Sequence, residues 1–314
     1  MSKILAAFPG QGAQYVGMAK ELVSEFPIAK LVFEEVEETL KLGMAKLCFE
    51  GPKEELVLTA NTQPAILTVS VGFFRVLQAE CGFTPDLFAG HSLGEYSALV
   101  AAGGLTLSRA ASLVRQRGMA MQEAVPVGTG GMAACMKLEP RQVEEICREV
   151  TIGFSDEKSV QVANYNSPGQ IVVAGHIEAV DAFCEAVAKV KGRAIKLEVS
   201  APFHSSLMQP AREAMEPLLR DGGVNEISAQ FFPNLTAEAV ESYKVEYAID
   251  QIDNPVKWSQ TLMAAADLGM THHVEVGPGK VLSGLAKRGL PKGSDVALLN
   301  TEDLIKTIET LKSL

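Results

Sequence analysis

The feature that most constrains this chain is the pentapeptide GHSLG at residues 90–94, which stands between an apolar run and a helix-forming segment. The apolar run covers 86–89, and the stretch 93–102 has the composition of a helix. A GxSxG sequence between a strand and a helix is typical of a nucleophile elbow, in which the serine occupies a tight turn. Glycines two residues before and after the serine let the strand and the helix approach closely. The pentapeptide therefore predicts an α/β fold with Ser92 exposed at the beginning of a helix.

The sequence allows two interpretations of Ser92. In the first, the free N–H groups and the dipole of the helix N-terminus stabilise negative charge as Ser92 reacts, and the backbone N–H of Leu93 is directed at an oxyanion. In the second, Ser92 only caps a helix, as serine commonly does. The strand–turn–helix context favours the nucleophile.

A serine nucleophile needs a base, and the favoured candidate is His204 in the segment SAPFHSS at 200–206. A proline-containing loop at a junction between structural units is a suitable place for such a residue. His273, near the start of a strand, is the second candidate, and a packed structural histidine is the alternative. His91 lies inside the elbow and is expected to point away from Ser92. Either Asp253 or a backbone carbonyl can orient the imidazole of the base.

Two further features suggest a ligand site. The segment FPGQGAQ at 8–14 follows the first predicted strand, and its glycines permit a backbone to approach a ligand. The N–H of Gln11 is then a second oxyanion donor, unless the segment is only a strand-to-helix turn. GxGxxG is absent, so the segment is not a dinucleotide fingerprint. Arg117, late in a predicted helix, can hold a carboxylate with two hydrogen bonds if it lies in a pocket; otherwise it is solvated.

The order of predicted elements divides the chain into two units. A Pro/Gly-rich break at 125–131 precedes strands and helices in the order β-α-β-β-α-β, which is the ferredoxin-like pattern. We therefore predict an α/β-hydrolase-like domain with a parallel-sheet core over 1–127 and 200–314, into which a small ferredoxin-like subdomain over 128–199 is inserted. The apolar patterns also predict a helical segment over 16–42 and a last subdomain strand over 194–199.

Composition excludes several classes of protein. The chain has 314 residues with 28 basic and 38 acidic side chains, and its net charge of −10 argues against a general nucleic-acid binder. No apolar run approaches the ~18 residues of a spanning helix, and the first residues lack the pattern of a signal peptide. The five cysteines are odd in number and lack CxxC spacing, which indicates reduced thiols. We expect a cytoplasmic protein that binds neither nucleic acid nor membrane.

Taken together, the motifs resemble those of bacterial malonyl-CoA:acyl carrier protein transacylases, which are related to the acyltransferase domains of polyketide synthases. The matching segments are collinear and extend over nearly the whole chain. They are FPGQGAQ at 8–14, TQPA at 62–65, GHSLGEYSAL at 90–99, QRGMAMQEAVP at 116–126, NYNSPGQIVVAGH at 164–176, APFHSSLM at 201–208, NPVKW at 254–258 and EVGPGKVLSGL at 275–285.

The resemblance implies a catalytic role for five residues. Ser92 is the acylated nucleophile and His204 its base, while the backbone carbonyl of Gln251 orients His204. Gln11 and Leu93 supply the oxyanion N–H pair. This set implies a Ser–His dyad and leaves no role for an acidic third member.

The resemblance also implies a substrate-binding set. Arg117 holds the free carboxylate of a malonyl group, and Phe203 leaves no room for the α-methyl group of methylmalonyl. Gln11, His91 and Asn166 complete the set. No metal and no cofactor are implied, because CoA and carrier-bound phosphopantetheine are substrates.

The implied activity is ping-pong transfer of malonyl from malonyl-CoA to acyl carrier protein in fatty-acid biosynthesis, by a monomer. The alternatives are a serine hydrolase or thioesterase, and a non-catalytic docking protein. Within the family, a polyketide-synthase acyltransferase and a malonate decarboxylase subunit are further alternatives. Because the carrier and CoA are acidic, docking requires a local basic patch. The candidates are Lys189, Lys191, Arg193 and Lys196, or Lys287 and Arg288.

Overall fold

A computed structural model describes residues 2–155, 157–199 and 201–314. Met1 and Ser200, at which the two segments of the large domain are predicted to begin, lie outside the described residues. Within the described ranges the strands are β1 Ile4–Phe8, β2 Leu87–Gly90, β3 Gly130–Met136, β4 Val160–Ser167, β5 Gln170–His176, β6 Arg193–Lys196, β7 Gln230–Phe232, β8 His272–Glu275 and β9 Ala297–Asn300.

The helices within the same ranges surround and connect these strands. They are α1 Lys20–Glu25, α2 Pro27–Leu40, α3 Met44–Glu50, α4 Lys53–Leu56, α5 Thr59–Cys81, α6 Gly94–Ala101, α7 Leu107–Glu123, α8 Pro140–Gly153, α9 Ile177–Lys189, α10 Gln209–Arg220, α11 Val245–Asp250, α12 Trp258–Asp267, α13 Val281–Gly289 and α14 Leu304–Lys312. None of them, across the part of the chain that is described, is at once long enough and apolar enough for a membrane span.

Five strands form a parallel sheet in the order β7-β2-β1-β8-β9. Four of the five residues of β1 and all four of β2 are buried, as expected for a parallel sheet covered on both faces. Phe8 at the end of β1 pairs with Gly90 at the end of β2. The carboxyl ends of parallel strands meet at one edge of a sheet, so the loops that follow β1 and β2 lie side by side there.

The other four strands form an antiparallel sheet in the order β4-β5-β3-β6. Numbered within this unit the order is 2-3-1-4, which is the ferredoxin-like arrangement, and α8 and α9 pack on one face. Pro140 starts α8 behind a capping box formed by Glu139 and Gln142. The predicted fold class, a parallel-sheet α/β core with a ferredoxin-like unit, is confirmed.

Three local predictions are wrong or incomplete. The helical segment predicted over 16–42 is broken, because Phe26 adopts an extended conformation (φ −120°, ψ 105°) ahead of Pro27. The strand predicted over 194–199 ends at Lys196. The short helix α3, between Gly43 and Gly51, was not predicted, since seven residues carry too little periodicity.

Helices α5 and α7 pack together at the base of the site. Most side chains of α5 are buried, which is typical of a helix surrounded by protein. At Gly118 of α7 an added Cβ would lie 2.7 Å from the Cα of Ala60, so glycine permits the two helices to approach this closely. The contact places Arg117 of α7 beside Gln63 of α5.

Candidate active site

The turn between β2 and α6 has the geometry of a nucleophile elbow. Ser92 has a φ of 51°, in the left-handed region that a non-glycine residue seldom occupies. A Cβ at Gly90 would lie 2.0 Å from the carbonyl of Gly94, and a Cβ at Gly94 would lie 2.0 Å from the carbonyl oxygen of Phe8. Both glycines are therefore required by close backbone contact, as the spacing predicted.

Ser92, His204 and Gln251 are connected by hydrogen bonds. The Oγ of Ser92 lies 2.7 Å from the Nε2 of His204, and the Nδ1 of His204 lies 2.9 Å from the backbone oxygen of Gln251. A carbonyl oxygen can only accept, so Nδ1 carries the hydrogen and Nε2 presents its lone pair to Ser92. The structure thus brings together the three residues that the resemblance grouped.

The environment of His204 keeps its imidazole neutral. The side chain is 3% exposed, and burial, assisted by the positive charge of Arg117, lowers its pKa from 6.5 to about 3. A neutral imidazole with a free Nε2 is able to accept the Ser92 proton at neutral pH.

Arg117 is a buried cation held by neutral groups. Its Nη1 donates to Gln63 Oε1 at 2.8 Å, and its Nη2 donates to Gln251 Oε1 at 2.8 Å and to Ser92 Oγ at 3.2 Å. The guanidinium carbon lies 5.6 Å from the centre of the Tyr96 ring. Among the described residues no carboxylate pairs with Arg117, so its charge is available to an anionic ligand.

Arg117 also retains donor capacity. Its Nε is buried without a hydrogen-bond partner in the described part of the chain, and burial lowers the pKa of the guanidinium from its usual value. An unpaired buried cation is unfavourable, and a ligand carboxylate would relieve this condition.

The loop after β1 lies against the elbow. A Cβ at Gly10 would fall 2.3 Å from the backbone oxygen of His91, so only glycine fits at this contact. The side chain of Gln11 accepts a hydrogen bond from Thr59 Oγ1. The backbone N–H groups of Gln11 and Leu93 have no acceptor among the described residues, and both residues line the same cavity. Two free N–H groups beside a serine are what an oxyanion hole requires.

His91 and Asn166 form a separate contact in this cavity. His91 Nε2 lies 2.8 Å from Asn166 Oδ1, and its ring centre lies 5.8 Å from that of Trp258. Burial lowers the pKa of His91. The imidazole is therefore engaged away from the Ser92 hydroxyl, as expected from its place in the turn.

These groups surround a cavity of about 380 Å³. Its polar lining comes from the elbow, the loop after β1, Arg117 and His204, together with Gln63 of α5 and three amide side chains of the antiparallel sheet, Asn164, Asn166 and Gln170. Its apolar lining includes Met132 and Val172 of the antiparallel sheet, Leu197, Val199 and Phe203 from the chain after β6, and Val281, Leu282 and Leu285 of α13. Lys280 and Arg288 also line it. A polar end around the serine and a long apolar wall suit a small acyl group on a flexible arm.

Two alternatives from the sequence lie away from Ser92. His273 is fully buried on β8, and within the described residues neither of its ring nitrogens has a partner. Asp253 accepts a hydrogen bond from Asn254 and lies 3.8 Å from Arg212. The structure therefore does not bring either residue to the candidate dyad.

Three residues in the site and one behind it, Tyr243, were not predicted from the sequence. Gln63 contacts Arg117, Asn234 Oδ1 accepts from the backbone N–H of Ser92 at 2.6 Å, and Glu95 and Tyr243 lie behind Gln251. Gln63 belongs to the matching TQPA segment and Glu95 to the matching GHSLGEYSAL segment, so both had an available signal. The other contacts join distant parts of the chain. In the described residues no group of three or more His, Cys, Asp or Glu side chains is arranged to hold a metal ion.

Comparison with known proteins agrees with this geometry. Residues 7–305 match the family model described as the acyl transferase domain. A malonyl CoA-acyl carrier protein transacylase of Bacillus subtilis is 43% identical, covering 99% of this chain and 98% of the relative. The crystal structure of the corresponding protein from Clostridium perfringens has a TM-score of 0.93 at 39% identity, covering 99% of this chain and 98% of that one.

A further solved structure contains a malonyl-transacylase in complex with its type II polyketide-synthase acyl-carrier protein. It has a TM-score of 0.92 at 38% identity and covers 98% of this chain and all of that one. The resemblance inferred from the motifs is thus confirmed over nearly the whole length. The chain belongs to the acyl transferase family and is an acyltransferase.

Proposed function

We propose that this protein transfers the malonyl group of malonyl-CoA to the phosphopantetheine thiol of acyl carrier protein in fatty-acid biosynthesis, through a malonyl-Ser92 intermediate. The observation that carries the proposal is the position of Ser92 Oγ, 2.7 Å from His204 Nε2 and 3.2 Å from Arg117 Nη2. A nucleophile with its base and an unpaired cation within reach fits an acyl group that ends in a carboxylate.

In the first half-reaction, Ser92 Oγ attacks the thioester carbonyl while its proton passes to His204 Nε2. The carbonyl oxygen becomes an oxyanion, which the N–H groups of Gln11 and Leu93 stabilise. Collapse of the tetrahedral intermediate breaks the C–S bond, and CoA leaves as a thiol with the proton from His204. The Gln251 carbonyl stabilises the transient imidazolium through Nδ1–H.

In the second half-reaction, the carrier thiol gives its proton to His204 and its sulfur attacks the malonyl-Ser92 ester. The same oxyanion donors act again, and Ser92 leaves with the proton. Each group returns to its starting state, so the cycle needs no co-reactant. Because the acyl group remains on Ser92 between the departure of CoA and the arrival of the carrier thiol, the sequence is ping-pong.

Arg117 selects the acyl group in this mechanism. The malonyl carboxylate accepts from the guanidinium, whereas an acetyl group leaves that cation without a partner. Phe203, which is buried and lines the cavity, restricts the space beside the α-carbon. His91 and Asn166, which are joined by a hydrogen bond, line the same cavity as Arg117 in this proposal.

The basic patch that receives the carrier is Lys287 and Arg288 in our proposal. Both residues are exposed, and Arg288 lines the cavity while donating to Gln170 at 3.0 Å. In the other candidate patch, Lys196 is paired with Asp181, so its charge is less available to an acidic partner. Positive charge beside the cavity attracts both the acidic carrier protein and the phosphates of CoA.

We further propose that the chain acts as a cytoplasmic monomer without a cofactor, divided into a domain of 1–127 and 200–314 and a subdomain of 128–199. The strands of the antiparallel sheet all lie between Gly130 and Lys196, which supports this division. All five cysteines are unpaired, and burial raises the pKa of Cys48 and of Cys147 to about 12. Such thiols suit a reducing compartment.

The experiment that tests the proposal uses malonyl-CoA labelled in the malonyl group. The wild-type protein should form a stable labelled adduct, which holo acyl carrier protein should discharge as malonyl-carrier. Ser92→Ala should form no adduct; a surviving adduct would mean that another residue is the nucleophile. Release of free malonate without transfer would indicate a hydrolase, and no adduct with wild-type protein would leave only a docking role. Comparing fatty-acid and polyketide carriers as acceptors decides the pathway.

A further inference from the structure

Glu95, in the first turn of α6, is a carboxylate enclosed by the protein. It is 1% exposed and accepts from Gln251 Nε2 at 2.8 Å, from the backbone N–H of Asn234 at 2.9 Å and from the hydroxyl of Tyr243. No cation pairs with it among the described residues. A carboxylate buried without a counter-ion is unfavourable, and the acyl-transfer steps above make no use of it.

The contact with Glu95 determines which way the amide of Gln251 faces. Gln251 Nε2 donates to two acceptors, the Glu95 carboxylate and the backbone oxygen of Ser92 at 3.1 Å. With the NH₂ group held by two acceptors, the amide oxygen must point to the other side. There Oε1 accepts from Arg117 Nη2 at 2.8 Å.

The opposite orientation of the amide would disrupt the site. A flipped Gln251 would direct its NH₂ group at the Arg117 guanidinium and its oxygen at the Glu95 carboxylate, so that donors would face donors and acceptors would face acceptors. Glu95 removes this alternative. Because Gln251 also provides the backbone carbonyl that orients His204, one residue is fixed with respect to both the base and the cation.

Glu95 also balances charge without occupying Arg117. A carboxylate paired directly with the guanidinium would compete with the carboxylate of the substrate. The Glu95 carboxylate is separated from Arg117 by the Gln251 amide. From this position it offsets the buried positive charge and leaves the guanidinium free to bind the carboxylate of the substrate. Burial raises the pKa of Glu95 to about 7, while the hydrogen bonds from Tyr243, Asn234 and Gln251 and the charge of Arg117 oppose this rise.

We propose that Glu95 is a positioning residue that sets the preference for a carboxylate-bearing acyl group, by holding the Gln251 amide with its oxygen toward Arg117. The inference rests on the proposed malonyl transfer. Its class of ligand is a dicarboxylic acyl thioester, and its effect is absent for acyl groups without a free carboxylate. Glu95 touches neither the substrate nor the reacting atoms.

The test measures acylation of the protein by malonyl-CoA and by acetyl-CoA in parallel, at about pH 8.5, which is above the Glu95 pKa. Glu95→Gln retains the size of the side chain but presents an NH₂ group within a set of donors. We expect kcat/KM for malonyl to fall about tenfold, and kcat/KM for acetyl to change by less than about threefold. Equal loss for both acyl groups would overturn the proposal in favour of a structural role.

Tyr243→Phe is the matched control, because it removes a hydrogen bond from the same carboxylate and leaves the contact between Glu95 and Gln251. It should lower Tm without changing the malonyl-to-acetyl ratio. A change of that ratio as large as in Glu95→Gln would contradict the proposed route through Gln251.

Two further variants keep the proposal testable if Glu95→Gln does not fold. Gln251→Met retains the backbone carbonyl and should reduce the malonyl-to-acetyl ratio as Glu95→Gln does; an unchanged ratio overturns the proposal. Glu95→Gln combined with Arg117→Ala should have the same ratio as Arg117→Ala alone, and additive losses would contradict it. Failure of the proposed function is separate, since wild-type protein would then form no malonyl adduct.

Discussion

The parallel sheet brings Ser92 and the loop of Gln11 together at one edge, whereas the antiparallel sheet contributes both apolar and amide side chains to the wall of the cavity. The first sheet ends in the elbow and the loop of Gln11 at one edge, because Phe8 and Gly90 pair at the ends of adjacent strands. The second contributes two apolar side chains, Met132 and Val172, and three amide side chains, Asn164, Asn166 and Gln170, to the cavity. Parallel strands collect loops at a single edge, where polar groups converge, while an antiparallel sheet presents alternate side chains on a face.

Three strands of the antiparallel sheet, β3, β4 and β5, are largely buried on both faces, whereas β6 is mainly exposed. Ala133 and Val173 lie in the core beneath α8 and α9, whereas their neighbours Met132 and Val172 belong to the main core and the cavity. Two backbone hydrogen bonds of 2.9 Å join β4 to Val256. Tyr165 N–H donates to the oxygen of Val256, and the N–H of Val256 donates to the oxygen of Ala163. The parallel sheet therefore positions the nucleophile at its edge, and the antiparallel sheet forms part of the cavity wall beside it.

The largest effect is expected from a methyl group added at the elbow. In Gly94→Ala the new Cβ would lie 2.0 Å from the backbone oxygen of Phe8, which cannot move away. We expect a loss of unfolding free energy of about 3 kcal/mol or more, measured by urea denaturation. In the antiparallel sheet, Gly131→Ala meets only the tip of Ile177 at 2.7 Å and should lose less than about 1.5 kcal/mol. Equal losses in the two variants would mean that the backbone at the elbow is no more tightly constrained than the antiparallel sheet.

The next effect distinguishes the charge of Arg117 from the volume of the cavity wall. Arg117→Ala should reduce the malonyl-to-acetyl ratio of kcat/KM by roughly 10²–10³-fold, because the substrate carboxylate would be buried without a cation. Val172→Ala, in the wall, should change each kcat/KM by less than about tenfold and preserve the ratio. If the wall variant alters the ratio as Arg117→Ala does, the assignment of selectivity to the parallel-sheet side is wrong.

A smaller effect concerns the width of the cavity. Phe203→Ala should raise kcat/KM for methylmalonyl-CoA relative to malonyl-CoA by at least about tenfold, because it opens room for one methyl group. Met132→Ala removes volume from the strand beside it and serves as the control, with a smaller increase. A larger response in Met132→Ala would show that the sheet, and not the loop of Phe203, sets the width.

The smallest effect concerns acid stability. Burial lowers the pKa of His273 from 6.5 to about 4, so the unfolded chain takes up a proton before the folded protein does. The stability associated with the neutral side chain is present above about pH 6.5 and is lost as the pH falls through 4. His273→Met should therefore weaken the acid-dependent loss of stability between pH 7.5 and pH 6 by about 1 kcal/mol, measured by denaturation at several pH values. An unchanged pH dependence would contradict this assignment.

The sequence predicted the fold and the elbow because their signals are local. Apolar runs followed by amphipathic stretches indicated the strands and helices, and the glycines of GHSLG indicated the close contact that the structure has at Gly90 and Gly94. Element boundaries were less accurate, since the break at Phe26 and the end of β6 at Lys196 depend on single backbone conformations. The short helix α3 had no readable period.

The residues around the dyad were harder to predict. Glu95, Asn234 and Gln251 come from three separate parts of the chain, and only the folded backbone brings their polar atoms to hydrogen-bond distance. No spacing within a single segment encodes such a network. His204 was favoured as the base on its loop context, whereas its link to Gln251 came from the family resemblance alone.

Ser92 and His204 share a further property, since both have a positive φ, 51° and 59°. An isolated chain would relax such residues to negative φ, so only the completed tertiary structure maintains them. A partly unfolded chain in which these two residues relax therefore does not maintain the hydrogen bond between Ser92 Oγ and His204 Nε2. Enzymatic activity regained during refolding consequently reports the final consolidation of the native state, and it should lag behind the recovery of helical content.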